Sequence, residues 1–162
     1  MGKEKFKILP ITESHYAWVR EKFIEHWGST RIVSRQKTYN ANDLPGFIVY
    51  DKKQPVGLIT YLIQNRECEI ITINSFKEQQ GIATLLLKAV HTFAREQHCY
   101  RIWLITTNDN LKALGFFQKR GFRMIAIYPD ALKESRRLKP EIPEIGLNNI
   151  PLRDEIELEL LL

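Results

Sequence analysis

The chain has 162 residues, 44% hydrophobic and 27% charged, which is enough apolar material for a substantial core and excludes disorder as its overall state. No apolar run approaches the roughly 20 residues that cross a bilayer, so no membrane partner is expected. The net charge of +5 is uneven: residues 141–162 hold six acids and one base, and the first 140 residues carry a net +10, a balance that suits a polyanionic partner such as nucleic acid or a phosphate-rich cofactor.

In chain order, Ile8–Ile11 reads as a first strand. Thr12 or Ser14 can cap a helix running to about Trp27, with Tyr16, Val19, Phe23 and Trp27 near helical spacing. Residues 28–46 read as loop or short helix. Phe47–Tyr50 and Val56–Leu62 read as strands around a hairpin turn at Asp51–Pro55, and after a turn at Asn65-Arg66 a third strand covers Glu67–Ile73. From Gln80 to about His98 the period becomes helical, with Ile82, Leu86, Ala89, Val90 and Phe93 on one face. Arg101–Thr106 is a nearly all-apolar strand of the kind buried on both faces. Asn108 or Asp109 can cap the next helix, which carries Leu111, Leu114 and Phe117 and stops at Gly121. Phe122–Tyr128 is a further strand. Residues 129–153, with four prolines, read as a long irregular crossing, and Glu155–Leu160 alternates acid and apolar residues as a half-wet strand does. Hairpin-linked strands followed by βαβ crossovers predict a mixed α/β fold of the α+β type, one domain over residues 1–162.

The junction Ile71–Thr84 is the most informative segment: a strand enters a short loop, and the loop opens a long helix. Free amides and the dipole at a helix start make an anion site. Gly81 and Ala83 let a phosphate approach the backbone, and Thr84 adds a hydroxyl. A plain strand–loop–helix connection would use the same residues. There is no Gly-Lys-Ser/Thr of a P-loop and no Gly-x-Gly-x-x-Gly. Nucleic acid is set aside, because the basic residues are not interleaved with stacking aromatics and no helix-turn-helix or RNP pattern occurs. Cys68 and Cys99 have neither metal-knuckle nor redox spacing, so no metal is expected. Met1–Lys5 leads into no apolar stretch and position 6 is Phe, so neither an export signal nor a myristoylation start is evident; a cytoplasmic protein with reduced thiols is expected.

Gln79-Gln80-Gly81-Ile82-Ala83 resembles the pyrophosphate-cradling motif of the GNAT N-acetyltransferase family, Gln/Arg-x-x-Gly-x-Gly/Ala, with Gly81 and Ala83 at its small positions. Further on, Asn110-x-x-Ala113-x-x-Phe116-Phe117-x-Lys119-x-Gly121-Phe122 resembles the family's second signature, and the element order agrees from Lys7 to Leu162. The resemblance implies the GNAT fold, a central mixed sheet of six to seven twisted strands flanked by helices. It implies acetyl-CoA as cosubstrate and transfer of acetyl to a primary amine of a small molecule, amino acid or protein by direct attack on the thioester. It places the pyrophosphate on the backbone of Gln79, Gln80, Gly81, Ile82, Ala83 and Thr84. It places the pantetheine arm along Ile73, Asn74 and Ser75, with an amide near Ile73 polarising the acetyl carbonyl. Asn110 and Ala113 would line the arm and Phe117 would pack near the thioester.

The sequence departs from the family pattern twice. Glu78 stands where Gln or Arg opens the first motif, and Phe117 stands where many members have a Tyr that protonates the leaving thiolate. The second departure keeps open an alternative, a non-catalytic acyl-CoA-binding module. Members with a base on the strand before the cradle carry it four or six residues ahead of the Ile73 position, here Glu69 and Glu67; exposed strand carboxylates are the plainer reading of both. Tyr128 is a candidate replacement acid. His26, Trp27 and Arg35 fall in the region that covers the acceptor site, and Asp154 and Glu155 are placed to meet a cationic acceptor. Monomer and homodimer both remain open, since Leu160-Leu161-Leu162 can seal a dimer or finish the core.

Overall fold

A computed structural model describes residues 5–162; the export and myristoylation readings fall on Met1–Glu4 and so largely lie outside the described residues. After strand β1 (Phe6–Pro10), Thr12 opens a single 3-10 turn, its backbone amide donating to His15 Nδ1 at 2.9 Å. Helix α1 (Tyr16–Trp27) follows and ends where Gly28 takes a left-handed conformation. Val19 and Phe23 are its buried residues. Strands β4 (Gly46–Asp51), β5 (Gln54–Gln64) and β6 (Glu67–Ser75) form the expected antiparallel meander, separated from α1 by the hairpin of β2 (Arg31–Ser34) and β3 (Lys37–Asn40). Helix α2 (Ile82–Glu96), strand β7 (Arg101–Thr107), helix α3 (Leu111–Gln118), strand β8 (Arg123–Tyr128), helix α4 (Ala131–Leu138) and strand β9 (Glu155–Leu161) complete the chain.

Seven strands form one sheet in the order β1-β4-β5-β6-β7-β9-β8, antiparallel everywhere except between β6 and β7. One core, with Ile70, Ile82, Leu86, Val90, Ile102, Leu104, Phe117 and Leu158, lies between the sheet and helices α2 and α3. A second, with Val19, Phe23, Tyr39, Ile48 and Leu58, lies under α1 and the β2–β3 hairpin. The sheet is therefore covered on both faces, as the apolar reading of its central strands requires.

Three expectations are corrected. Residues 28–46 are a β-hairpin plus a short 3-10 turn (Ala41–Asp43), not loop or helix. Its tight turn places Arg35 and Gln36 at φ 47° and 60°, a left-handed pair normally announced by Asn-Gly, and neither residue gives that signal. Residues 129–153 contain α4, entered through left-handed Asp130, and only 139–153 is an irregular strap. The cap of α3 is Asn110, whose Oδ1 accepts from the Ala113 amide at 3.1 Å. Asn108 instead ties the strap down: its Oδ1 accepts from the amides of Arg153 and Asp154, and its Nδ2 donates to the Pro151 carbonyl.

Two backbone details shape the site. On β6, Thr72 pairs with Thr60 and Ile70 with Tyr61, so Ile71 is an extra residue in the ladder, a β-bulge. At Gly57 of β5, a Cβ would lie 2.4 Å from Ile82 Cγ2 and 3.2 Å from Leu86 Cδ1, so the start of α2 rests directly on strand backbone. Gly57→Ala is accordingly expected to cost about 1–3 kcal/mol through overpacking, read as a lower urea midpoint at unchanged m-value.

Candidate active site

The central strands part company. β6 pairs with β7 only from Glu67 to Ile70, although β6 continues to Ser75 and β7 to Thr107. Beyond Ile70, β6 stays bonded to β5 as far as Ser75, and β7 stays bonded to β9 as far as Thr107. Each strand thus presents one row of backbone donors and acceptors to a gap in mid-sheet. The gap opens into a cleft of about 620 Å³, lined by Ile71–Ile73 and Leu104–Thr107 from the two strands, with Asn110, Ala113 and Phe117 from α3. Trp27, Val33 and Leu132 are among its other walls.

At the mouth of α2, Gly81 is the N-cap residue at φ 72°, and no side chain caps the helix. Among the described residues a Cβ at Gly81 would meet nothing within 4 Å. Gln79 is also left-handed, at φ 57°. Such backbone, held against its preference beside an uncapped helix start, is the arrangement found where amides converge on an anion. Positive charge is supplied from outside the motif. Arg120 stacks on the Phe116 ring at 3.7 Å and donates from Nη2 to Thr84 Oγ1 at 2.7 Å, which leaves the Thr84 hydroxyl hydrogen free to donate. Lys5 reaches Gln80 Oε1 at 2.8 Å. Asn74 Oδ1, on the strand leading into this loop, is buried with no hydrogen-bond partner among the described residues. Uncapped cradle, basic side chains and an orphaned acceptor all fit a ligand that carries phosphates and amides.

The structure separates the two candidate carboxylates. Glu69 is 6% exposed, lines the cleft, and accepts from the Tyr39 hydroxyl at 2.9 Å. Burial pushes its carboxyl above the usual range, opposed in part by the Tyr39 hydrogen bond. Glu67 is outside the cleft lining and already engaged: it accepts from Tyr100 and from Arg101 Nε at 2.6 Å, and these partners hold its pKa down. Arg101 also reaches Glu159 at 3.0 Å and Glu157 at 3.3 Å.

His26 and Trp27 line the cleft with ring centroids 5.8 Å apart. Arg35 and Tyr128 are outside the lining and satisfy each other, the guanidinium lying 3.3 Å from the ring centroid while the Tyr128 hydroxyl donates to Glu157 at 2.9 Å. Arg35 does contribute a backbone amide to Glu155 Oε2 at 3.1 Å. Phe117 is both things the sequence allowed: it packs edge-on against Phe116 and Phe122, and it lines the cleft. Asn74, Ser75 and the loop residues Gln79–Thr84 border the gap from the cradle side rather than lining the cleft.

Three contributors escaped sequence reading. Tyr39 sits on the unrecognised hairpin, where Ile32-Val33 and Thr38-Tyr39 were the available strand signal. Arg120 occupies an unspecified position of the second motif, between Lys119 and Gly121, and reaches Thr84 on α2 only through the fold. Lys139 is buried and forms no ion pair among the described residues, donating instead to the carbonyls of Trp27 at 2.6 Å and Arg31 at 3.0 Å, so it pins the strap to α1 and the hairpin.

Comparison with known proteins agrees with this geometry. Residues 12–122 match the Acetyltransferase (GNAT) family. The chain is 43% identical over 150 residues to the uncharacterized protein YdhI of Bacillus subtilis (strain 168), covering 92% of this chain and 94% of that one. Its fold is similar to that of a GNAT family acetyltransferase from Elizabethkingia anophelis with acetyl-CoA bound, at TM-score 0.73 and 20% identity over 99% of this chain and 100% of the other. A Bacillus subtilis acetyltransferase in complex with CoA superposes at TM-score 0.69 and 18% identity, covering 98% of each chain. With a cradle, a split sheet and a family match over most of its length, the chain belongs to the GNAT acetyltransferase family.

Proposed function

We propose that the protein is an acetyl-CoA-dependent N-acetyltransferase whose acceptor is a primary amine. The observation that carries this reading is the gap between β6 and β7, unpaired on both sides beyond Ile70 and leading from the uncapped start of α2 into the cleft. Bound acetyl-CoA supplies an activated acyl carbon and a thiolate leaving group. The amides of Gln79–Thr84, with Arg120 and Thr84 beside them, hold the diphosphate. The free backbone edge of β6 orients the amide-bearing arm as a neighbouring strand would. A backbone amide near Ile73 faces the acyl oxygen and stabilises the negative charge that builds there.

An amine is protonated near neutral pH and must lose a proton before its lone pair can attack. Glu69 is the acceptor of that proton, directly or through a water. Nitrogen–carbon bond formation accompanies loss of the carbon–sulfur bond, and the proton taken from nitrogen balances the departing thiolate. Phe117 donates no proton; its ring shields the reacting atoms from water. The absent hydroxyl at Phe117 favours a second reading, an acyl-CoA-binding module without turnover. The expected setting is the cytoplasm, where the buried thiols of Cys68 and Cys99 stay reduced.

Two measurements test the proposal. Acetyl-CoA should raise the melting temperature in a concentration-dependent way, with ATP and NAD far less effective. Thiol release against a panel of amines should show turnover; stabilisation by acetyl-CoA with no release from any amine would leave only the binding-module reading.

A further inference from the structure

The acceptor end of the cleft has a charge pattern that narrows the amine, on the footing of the acetyltransferase reading. One face of the sheet carries five carboxylates on the two strands that flank β7: Glu67 and Glu69 on β6, and Glu155, Glu157 and Glu159 on β9. Arg101 pairs with Glu67, Glu157 and Glu159. Glu69 and Glu155 are the two left over. Both line the cleft, at 6% and 3% exposure, and neither forms an ion pair with a lysine or arginine among the described residues. Their protein partners are neutral: the Tyr39 hydroxyl for Glu69, and the Arg35 backbone amide and Ser135 hydroxyl for Glu155. Cations act on them only at a distance, Lys37 and Arg101 on Glu69 and Arg35 on Glu155, and a buried carboxylate without a direct ion pair is costly unless something arrives to supply one.

A separate feature marks the Glu155 end. Ser34 Oγ, which also lines the cleft, is shut off from solvent and makes no hydrogen bond of normal geometry to any described protein group. It lies one residue before the Arg35 amide that holds Glu155, and although it forms no well-aligned hydrogen bond it is near enough to that carboxylate to favour its charged form. The cleft's resident cation, Lys139, is turned to the carbonyls of Trp27 and Arg31.

Glu69 is level with Trp103 on β7, and Glu155 is level with Thr107. That is four positions along the strand and two strands across, roughly 16 Å between Cα atoms. One ammonium cannot serve both carboxylates, and the strand gap where the amine reacts opens between β6 and β7, between them. We infer that the acceptor is an aliphatic diamine or polyamine: Glu69 serves the amine that reacts, while Glu155, with Ser34, holds a second ammonium group. Trp27 and Val33 supply apolar wall for the methylene chain between the two charges.

Three acceptors of matched length isolate the distal group: 1,6-diaminohexane, hexylamine and 6-aminohexanoate. In thiol-release assays with acetyl-CoA, the diamine should exceed hexylamine at least tenfold in kcat/KM, mainly through KM, and the amino acid should be poorest. Glu155→Gln should bring the diamine-to-monoamine ratio close to one. Binding is read independently of turnover by the melting temperature of the coenzyme A-loaded protein, which 1,6-diaminohexane should raise and hexylamine at equal concentration should not. Equal rates and equal thermal shifts for diamine and monoamine, or a preference for 6-aminohexanoate, overturn the inference while leaving the acetyltransferase intact. Absence of turnover with every amine would defeat the acetyltransferase reading instead, and the thermal shifts would still decide whether the cleft prefers a dication.

Discussion

Gly81→Glu is expected to weaken coenzyme A binding by more than tenfold while the protein stays folded. Gly81 is left-handed at φ 72°, so any L-residue there carries a strain of about 1–2 kcal/mol. Its Cβ would meet no atom of the described residues within 4 Å, so the core is not disturbed. That same space is where the diphosphate is placed, and a carboxylate there adds bulk and like charge at once. Titration calorimetry with coenzyme A gives the affinity and circular dichroism confirms the fold. Gly81→Ala, which adds the strain and little else, serves as the control and should lose much less affinity. A Gly81→Glu protein that binds coenzyme A as the parent does would remove the cradle from the proposed site.

The second large effect belongs to Glu69. Glu69→Gln keeps an acceptor for the Tyr39 hydroxyl and removes the base, so kcat should fall about a hundredfold with coenzyme A affinity retained. The pH profile separates this from a packing defect. Burial raises the Glu69 pKa, so in the parent enzyme kcat should decline as pH falls through that raised value, at a higher pH than an ordinary glutamate would give. Tyr39→Phe removes a hydrogen bond that favours the carboxylate and should move this acid limb further up in pH; a truncation that merely loosened the hairpin would lower the rate without moving the limb. Stability should run the other way. A carboxyl whose folded pKa exceeds its unfolded one stabilises the fold fully below the unfolded pKa, and that contribution is lost as pH rises through the folded value. Glu69→Gln should therefore melt no lower than the parent at pH 8, its relative advantage fading in acid. An inactive but markedly destabilised variant at pH 8 would assign Glu69 to structure rather than to proton transfer.

The parts of the molecule readable from sequence were those in which local pattern and tertiary role coincide. The α2 stripe buries Ile82, Leu86 and Val90 and β9 buries Ile156 and Leu158 as their periodicity marks, whereas β7 buries alternate residues rather than both faces and Glu155 is buried on the face that the β9 pattern left wet. The hairpin of β2 and β3 was hidden because its turn uses Arg35 and Gln36 where a left-handed pair usually carries Asn or Gly, and Tyr39 was hidden with it. Helix α4 was hidden by the prolines around it, although none falls inside Ala131–Leu138. In the site, Glu67 and Glu69 look alike in sequence, both on one strand face. What divides them is Arg101, which neighbours Glu67 through strand pairing and satisfies it, and Tyr39, which reaches Glu69 from thirty positions away. Neither distance is visible in a linear reading.

The parting of β6 from β7 leaves two exposed sheet edges inside the protein rather than at its rim. Edges at a rim invite other chains, whereas each of these faces the other within the sheet. On the proposed function, a slender, amide-bearing tether enters there and completes the ladder as a temporary eighth strand. In the free protein the amides of Ile71–Ser75 that point into the gap should therefore exchange with deuterium quickly, though they lie in mid-sheet, and slow once the gap is filled.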